Sequence, residues 1–354
     1  MDDIQEILKQ AVDQKASDVF IVAGACISFK VSGEIRPIND EKLTPQDTYY
    51  ILEKIYSIST GIVTSMDKLK QNGEDDFSFS LTAVGRFRVN AYYQRGSVAA
   101  VLRVVRFQLP DPKDYHIPSS VIDLAKLNKG LVIVTGATGS GKSTTLACIV
   151  DEINRTQNYH IITIEDPIEY LHRHQRSIVS QREVGHDTSD YLSALRAALR
   201  EAPNVILVGE MRDLETVSVA LNAAETGHLV LSTLHTLGAS ETISRIIDIF
   251  PPNQQEQIRV QLTMSLQAVV SQQLLQSKDG GMVPCFEIMK SNPAIRTQIR
   301  DNKLHLIDNT ISSNRDEGMI SMDDSILELY KAGMIDEDTA LQHANNKELL
   351  KKKM

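Results

Sequence analysis

Gly136-Ala137-Thr138-Gly139-Ser140-Gly141-Lys142-Ser143-Thr144 is the stretch that decides the fold of this chain. It fits the pattern G-x-x-x-x-G-K-[ST] without a mismatch, in which glycines let backbone amides converge on phosphate oxygens because no Cβ blocks the approach. The sequence predicts a buried strand over 131–135 before the stretch and a helix over 143–154 after it. The helix start adds partial positive charge at the same place. The order strand, glycine loop, helix predicts a phosphate-binding loop; the alternative is a glycine turn that binds nothing.

Residue types within the loop predict how a nucleoside triphosphate such as ATP is bound. Lys142 is expected to reach the β- and γ-phosphates, and the Ser143 hydroxyl is expected to ligate Mg²⁺. The whole loop is expected to contact the nucleotide: Gly136, Ala137, Thr138, Gly139, Ser140, Gly141, Lys142, Ser143 and Thr144.

Composition narrows the class of protein. The 354 residues have room for two domains, and an apolar content of 42% is enough for real cores. The net charge of −9 argues against nonspecific nucleic-acid binding. We expect no membrane span, since no apolar window of about 18 residues occurs, and no secretory signal. The three cysteines are odd in number and far apart, which suits a reducing cytoplasm and buried, apolar roles.

The pattern of the chain changes three times, which predicts four regions. Residues 1–107 mix helical and strand-like segments and predict an N-terminal α+β domain. Residues 108–118 carry three prolines and predict an extended linker. Residues 119–290 alternate strands and helices, which is typical of a parallel sheet covered by helices, and residues 291–354 are helical and polar.

Patterns within each region predict individual helices and strands. In the first region we predict helices over 2–15, 45–58 and 60–71 and strands over 18–22, 27–31, 77–81, 85–93 and 98–105. In the third we predict strands over 131–135, 160–164, 205–208 and 229–233, and helices over 143–154, 188–201, 214–226, 239–248 and 253–272.

Two predicted strands of the parallel sheet end in carboxylates. The apolar strand 205–208 leads into Gly209-Glu210, which resembles a Walker B element with glutamate in place of aspartate. The strand 160–164 leads into Glu165-Asp166-Pro167-Ile168-Glu169, with Pro167 ending the strand. Sites in parallel sheets lie at this carboxyl edge, so one strand offers an acid for Mg²⁺ and the other an acid for the attacking water. The alternative for each acid is a helix cap or a solvated turn.

Two histidines bracket the predicted strand 229–233. His235 follows the strand, at the edge where the phosphates are expected, so it is a candidate γ-phosphate sensor. His228 precedes the strand, so topology alone gives it no role at the site, and it follows His235 as the second catalytic candidate of the histidine pair. Packing or surface exposure is the alternative for both.

These four elements together resemble the secretion ATPase superfamily of type II secretion and type IV pili, whose motifs are called Walker A, Asp box, Walker B and His box. The resemblance runs from Ala16-Ser17-Asp18 to about residue 350. The chain is short and cysteine-poor, and it carries the segment Ala294-Ile295-Arg296-Thr297-Gln298-Ile299-Arg300-Asp301-Asn302-Lys303. Both features resemble the PilT-like branch, the type IV pilus retraction ATPases. This segment departs from that branch at Thr297, Gln298 and Asp301, and an ordinary amphipathic helix is the alternative.

The resemblance implies a RecA-like P-loop domain beside a smaller, PAS-like N-terminal domain, with ATP between them in a homohexameric ring. It implies that Glu165 or Glu169 orients the attacking water and that Glu210 is the metal-side acid. It also implies that arginines of the N-terminal domain reach the terminal phosphates. The candidates are Arg88 and Arg103, then Arg86; surface ion pairs are the alternative.

The expected protein is therefore a cytoplasmic, Mg²⁺-dependent hexameric ATPase that drives type IV pilus retraction and twitching motility. It would act at the inner face of the cell membrane through a pilus platform protein. One alternative is another motor of the superfamily, either an accessory retraction paralogue or a type II secretion or pilus assembly ATPase. A nucleotide-gated scaffold is a second alternative, and a nucleic-acid translocase is disfavoured by the acidic charge balance.

Overall fold

The computed structural model describes residues 4–31, 33–59, 65–82, 84–105 and 109–354. Within these residues the chain forms two compact units. The first comprises Met1–Gln108 together with Pro167–His172 and Glu183–Ser189, and the second comprises Leu109–Asp166, Arg173–Arg182 and Asp190–Met354. Each unit has its own sheet.

The first unit is built on a six-stranded antiparallel sheet in the order β3-β2-β1-β6-β5-β4. Its strands are β1 (Asp18–Ile21), β2 (Cys26–Val31), β3 (Glu34–Lys42), β4 (Glu74–Leu81), β5 (Gly85–Gln94) and β6 (Ser97–Val105). Its helices are α1 (Ile4–Asp13), α2 (Pro45–Ile58) and α3 (Met66–Asn72). The predicted helix over 60–71 is thus confirmed from Met66 onward, and residues 60–64 lie outside the described ranges.

The start of α2 follows from local chemistry. Thr44 accepts a hydrogen bond from the Asp47 amide, the Asp47 carboxylate accepts one from the Thr44 amide, and Pro45 occupies the first helical position. This capping box satisfies two amides that the helix itself cannot pair. The buried residues Ile51, Leu52 and Ile55 then lie on one face of α2 and join the hydrophobic core of the first unit.

Strand β3 was not predicted, because eight of its nine residues are exposed. Its sequence, Glu-Ile-Arg-Pro-Ile-Asn-Asp-Glu-Lys, carries no apolar alternation, and it contains Pro37 at the edge of the sheet. Proline and charged residues on an edge strand discourage pairing with other chains. They also replace the alternating apolar residues from which a strand is predicted.

The second unit contains a seven-stranded sheet in the order β13-β12-β7-β11-β10-β8-β9. Its strands are β7 (Gly130–Thr135), β8 (His160–Glu165), β9 (Ile178–Glu183), β10 (Val205–Val208), β11 (Leu229–Leu234), β12 (Leu266–Gln276) and β13 (Met282–Lys290). Its helices are α4 (Ser119–Ile122), α5 (Lys142–Thr156), α6 (Tyr191–Ala198), α7 (Leu214–Glu225), α8 (Ala239–Asp248), α9 (Pro252–Ser265), α10 (Pro293–Arg300), α11 (Ile307–Ser313), α12 (Met322–Lys331), α13 (Glu337–His343) and α14 (Lys347–Lys353).

The centre of this sheet is parallel and fully buried. Strands β12, β7, β11, β10 and β8 run in one direction, so their carboxyl ends meet at one edge. Every residue of β7, β10 and β11 is buried. The predicted mixture of helices and strands in an α/β fold is therefore confirmed, and the four predicted strands of the third region are all present.

The predicted helix over 253–272 is wrong in its second half. Helix α9 ends at Ser265, and the chain continues as strand β12 between β7 and β13. Its residues Val269, Val270 and Ser271 are all buried, and a run buried on both faces shows neither helical nor strand periodicity. Strand β13 pairs antiparallel with β12, and its Ile288 forms a further bridge with Ile320.

Two expectations drawn from composition concern membrane spans and cysteines. Among the described residues, every helix is too short or too polar to span a bilayer. Cys148 and Cys285 are buried thiols, and Cys26 is half-buried; all three are free.

Candidate functional site

The glycine loop between β7 and α5 is shaped by close contact with Gln272 of β12. A Cβ at Gly136 would lie 2.2 Å from the Gln272 carbonyl oxygen, and a Cβ at Gly141 would lie 2.8 Å from its side-chain nitrogen. Both glycines have positive φ, at 145° and 89°. The side-chain oxygen of Gln272 accepts a hydrogen bond of 2.7 Å from Thr145 in the first turn of α5. Gln272, which sequence reasoning missed, therefore fixes the loop against the sheet.

Lys142 begins α5 and turns back over the loop. Its Nζ donates to the carbonyl oxygens of Gly136 and Ala137, at 2.9 Å each. These bonds aim the ammonium group across the loop whose amides are predicted to bind phosphate. Ser143 follows at the helix start, where the helix dipole favours an anion.

Glu210 lies just beyond the carboxyl end of β10, and its carboxylate lies close to an arginine and a histidine. Arg212 Nε lies 2.7 Å from Glu210 Oε2, and His235 Nε2 lies 3.7 Å from the same oxygen. The Glu210 side chain is largely buried, whereas that of Arg212 is mostly exposed. Arg212 was not among the predicted site residues, because its spacing in the sequence fits a salt bridge as well as a site.

His235 is joined to the glycine loop through threonines. Thr135, the last residue of β7, donates to the Thr236 carbonyl at 2.5 Å, and its hydroxyl lies 2.8 Å from the Thr236 hydroxyl. Thr236 follows His235, and Thr135 precedes Gly136. The structure therefore places His235 beside both Glu210 and the root of the glycine loop.

His228 lies at the opposite edge of the sheet. Its Nδ1 is 3.0 Å from the carbonyl of Ala223 near the end of α7, and its carbonyl accepts from the Gly130 amide at the start of β7. Since β7 and β11 are parallel, this edge is the one remote from Gly136. The predicted catalytic role of His228 receives no support from this placement, which instead explains the residue as a helix-end contact.

The two candidate water-positioning glutamates belong to different units. Glu165 ends β8, and its Oε1 accepts from Thr163 at 2.6 Å and from Gln181 at 3.3 Å. The Gly209 amide donates to the Ile164 carbonyl, so the ends of β8 and β10 lie side by side within the second unit. Glu169 is exposed and belongs to the first unit.

Tyr191, the first residue of α6, is a second residue that sequence reasoning missed. A Cβ at Gly209 would lie 2.9 Å from the Tyr191 hydroxyl and 3.2 Å from the Ile164 carbonyl. Burial raises the pKa of the Tyr191 phenol above its usual range. The carboxylates around it raise that pKa further: Glu210, then Asp166, then Glu165. The phenol therefore keeps its proton.

In the first unit, Arg88 and Arg103 each contact one aspartate. Arg88 forms a two-point contact with Asp76, at 3.1 Å and 2.6 Å, and Arg103 Nε lies 3.3 Å from Asp18. The side chain of Arg88 is 35% exposed and that of Arg103 is 71% exposed. Their roles as phosphate-contacting arginines stay predictions.

Arg86 differs from both because it is buried. Its Nη2 lies 3.1 Å from the Oε2 of Glu183, which is itself buried. The Glu183 carboxylate also accepts from the Ser78 hydroxyl at 2.6 Å and from the Ile168 amide at 3.1 Å. Within the first unit, Arg86 thus holds the segments 167–172 and 183–189. This placement explains Arg86 as a structural residue, and sequence alternation could not distinguish it from Arg88.

The oxygen donors at the carboxyl edge suit Mg²⁺. Ser143 supplies a hydroxyl and Glu210 a carboxylate, and both are hard ligands. Among the residues that the structure describes, no group of three His, Cys, Asp or Glu side chains could hold a metal ion. Mg²⁺ bound beside a phosphate keeps several waters and takes only one or two protein ligands.

The chain is similar to known proteins over most of its length. A family model described as "Type II/IV secretion system protein" matches residues 1–282. A "Twitching motility protein" of Neisseria gonorrhoeae is 42% identical over 348 residues, which is 98% of this chain and 91% of the relative. The "Type IV pilus retractation ATPase PilT" of Pseudomonas aeruginosa is 42% identical over 346 residues, covering 97% of this chain and 98% of the relative.

A solved structure is also similar over its full length. The crystal structure of the pilus retraction motor PilT with bound ADP has a TM-score of 0.88 and 48% identity, covering 99% of this chain and 100% of that chain. The resemblance that the sequence motifs indicated is confirmed, and the chain belongs to the family of type II/IV secretion system proteins.

Proposed function

We propose that this chain is a Mg²⁺-dependent ATPase that drives the retraction of type IV pili. The observation that carries the proposal is the edge of the parallel sheet in the second unit, where the glycine loop, His235, Glu210 and Glu165 follow neighbouring strands. The relatives named for twitching motility and pilus retraction match nearly the whole chain, so the proposal extends to the biological process.

The residues at this edge have different roles in phosphoryl transfer. Amides of the glycine loop and Lys142 bind the β- and γ-phosphates, and Ser143 and Glu210 would hold Mg²⁺, which neutralises charge on the phosphates when bound. Glu165 lies in a fixed orientation, held by Thr163, and it positions the attacking water. In phosphoryl transfer the carboxylate has to position the water molecule, and it does not have to be a strong base.

Finer features of the proposal rest on topology and on resemblance. The strand order β12-β7-β11-β10-β8 supports a RecA-like domain, and the antiparallel sheet flanked by α1 and α2 supports a PAS-like one. The proposed motor is a homohexamer in which Arg88 and Arg103 act on the terminal phosphate. It works with a platform protein at the inner membrane. The protein would work in the cytoplasm.

ATP hydrolysis is tested with the full chain and Mg·ATP. Lys142→Ala and Glu210→Ala should each lower the rate of phosphate release at least 100-fold, because each removes charge stabilisation that acts in the transition state. Lys126→Ala is the matched control: Lys126 is an exposed lysine of the same unit that pairs with Asp123. Equal rates in the wild type, Lys142→Ala and Glu210→Ala would refute ATPase function and favour a nucleotide-gated scaffold.

Pilus retraction is tested in the source cell. Deleting the gene should leave hyperpiliated cells that do not twitch, and the wild-type gene, but not Lys142→Ala, should restore twitching. Loss of surface pili on deletion would mean that the protein is an assembly motor instead. Unchanged twitching would point to an accessory paralogue.

A further inference from the structure

Thr236 lies in the turn through which β11 leads into α8. Thr135 and Leu234 are the last paired residues of β7 and β11. Beyond this pair, β7 continues into the glycine loop, and β11 continues into a turn whose first residue is His235. The turn therefore begins at the same edge of the sheet as the loop, and the contacts that fix the turn also fix the backbone of His235.

The His235 ring lies near Glu210 but is not hydrogen-bonded to it. Its Nε2 is 3.7 Å from Glu210 Oε2, which is longer than a hydrogen bond, and 44% of the side-chain surface is exposed. Leu237, two residues further along the turn, is exposed as well. Thr236 between them is half-buried. The position of the ring thus depends on the backbone of the turn, and Thr236 is the part of the turn that packs inward.

Three threonine hydroxyls form a hydrogen-bonded chain beside this turn. The hydroxyl oxygens of Thr135 and Thr236 lie 2.8 Å apart, and so do those of Thr236 and Thr242. The Thr242 hydroxyl also donates to the Gly238 carbonyl at 2.6 Å. A carbonyl can only accept and each hydroxyl has one hydrogen, so Thr236 donates to Thr242 and accepts from Thr135. The Thr236 hydroxyl therefore joins the end of β7 to the first turn of α8.

The far end of the turn has its own contacts. The Gly238 amide donates to the Ser271 hydroxyl at 2.9 Å, and the Ala239 amide donates to Glu287 at 2.7 Å. The glycine loop is held separately, by Gln272 of β12. Loss of the Thr236 hydroxyl should therefore loosen the start of the turn, where His235 lies, and leave both α8 and the loop in place.

We propose that Thr236 is a positioning residue for ATP hydrolysis, whose hydroxyl holds His235 at the edge of the sheet where the phosphates bind. The inference rests on the proposed ATPase function and adds a residue to it. Thr236 acts through His235 and not on the nucleotide, so its loss should slow the chemical step more than it weakens the binding of ATP. A displacement of about 1 Å near the reacting atoms is enough to lower a rate strongly.

The first test is Thr236→Val, which keeps a branched side chain of similar shape and removes the hydroxyl. Thr135 keeps the Thr236 carbonyl as an acceptor at 2.5 Å, and Thr242 keeps the Gly238 carbonyl, so the fold should be retained. We expect a kcat for ATP about tenfold lower, with the KM for ATP within about twofold of wild type. Thr236→Ser keeps the hydroxyl, and its kcat should stay within about twofold of wild type.

Thr156→Val is the matched control, because Thr156 is also half-buried and its hydroxyl donates to the Glu152 carbonyl at 2.6 Å. It lies at the end of α5 remote from the glycine loop, so kcat should be unchanged. Wild-type kcat in Thr236→Val would overturn the proposal, and so would a Thr236→Ser enzyme as slow as Thr236→Val. A KM for ATP that rises as kcat falls would also overturn it, since Thr236 would then shape the binding of the nucleotide.

A double-mutant cycle with His235→Ala tests whether Thr236 acts through the histidine. His235→Ala should lower kcat by about tenfold or more, and adding Thr236→Val should lower it by less than about twofold further. Additive effects, or a wild-type kcat in His235→Ala, would overturn the proposal. If the wild type releases phosphate no faster than Lys142→Ala, the ATPase function fails and the role of Thr236 with it. A rate that depends on Lys142 but not on Thr236 would overturn the role of Thr236 alone.

Discussion

Arg88 and Arg103 lie directly opposite each other on the adjacent antiparallel strands β5 and β6. Directly opposed residues project from the same face of a sheet, so two guanidinium groups share one face of the first unit. Like charges in this position repel, and each arginine has an aspartate that offsets the repulsion: Asp76 for Arg88 and Asp18 for Arg103. Arg88 and Arg103, the two predicted phosphate-contacting arginines, are therefore neighbours on one face of this sheet.

We predict that Arg88→Ala and Arg103→Ala each lower kcat for ATP by about 100-fold or more, as expected for an arginine that stabilises a transferring phosphoryl group. Both ion pairs are partly exposed, so each variant should lose at most about 1 kcal/mol of stability. Phosphate release and thermal unfolding measure the two effects. Arg36→Ala is the control, because Arg36 is an exposed arginine of the same sheet and pairs with Glu34. Wild-type kcat in both variants would assign the arginines to surface ion pairs.

Arg86→Ala should act on stability instead. Removing one partner of a buried ion pair leaves Glu183 charged and uncompensated, which costs roughly 3–5 kcal/mol. Replacing both Arg86 and Glu183 by leucine should cost less than Arg86→Ala alone, because no unpaired charge remains. Urea denaturation measures these differences. An Arg86→Ala protein that unfolds at the wild-type urea concentration, yet hydrolyses ATP slowly, would restore Arg86 as a phosphate-contacting arginine.

Gly136→Ala and Gly139→Ala form a matched pair within the glycine loop. Both positions have positive φ, but a Cβ at Gly136 would lie 2.2 Å from the Gln272 carbonyl, whereas a Cβ at Gly139 would meet nothing within 4 Å. We expect Gly136→Ala to reduce ADP affinity at least 100-fold, because the loop must move away from β12. Gly139→Ala carries only the cost of backbone strain, about 1–2 kcal/mol, or roughly tenfold. Calorimetric titration with ADP measures both, and equal losses would show that φ, not space, controls the loop.

Glu287 should make stability depend on pH near neutrality. It is buried on β13 and accepts from the Ala239 amide at 2.7 Å, where α8 begins. Burial, the main cause, raises the pKa of the carboxyl to about 7; Asp308 and Asp323 also raise it, and backbone hydrogen bonds from Ala239 and Met322 lower it. The folded state thus retains a proton that the unfolded state releases.

This difference in protonation between the folded and unfolded states sets the direction in which stability changes with pH. The contribution of Glu287 is fully present below about pH 4.5 and is lost as pH rises towards 7, a change of roughly 3 kcal/mol. Glu287→Gln cannot titrate, so the stability of the wild type relative to this variant should fall between pH 5 and pH 8. Thermal unfolding across this range measures the difference. The exposed Glu241→Gln on α8 serves as control, and a constant difference between wild type and Glu287→Gln would contradict the prediction.

Local sequence predicted the edge of the parallel sheet well because its features lie within a few residues of each other. The apolar run 205–208 ends at the acid it delivers, and the glycine loop lies between its own strand and helix. Gln272 could not be found in this way, because its contacts with Gly136 and Thr145 join segments far apart in the chain. Nothing in the residues around Gln272 marks it, and the wrongly extended helix concealed its strand.

Tyr191 and Arg86 show a second limit. The sequence predicts only a packing role for an aromatic residue at the start of a helix. The position of the Tyr191 hydroxyl is seen only from its contact with Gly209. Arg86 and Arg88 share one face by alternation, yet one is buried against Glu183 and the other is partly exposed. Burial depends on which segment covers a face, and the segment 183–189 is remote in sequence.

Strand β13 closes one edge of the parallel sheet, and the chain itself covers part of that edge. Ile288 exchanges two backbone hydrogen bonds with Ile320, and the Phe286 amide donates to Ser325 at 3.1 Å. Amides paired in this way are not offered to a strand from another molecule, which is the usual route by which sheets aggregate. The segment that begins at Ile320 therefore protects this part of the β13 edge against pairing with a strand of another copy.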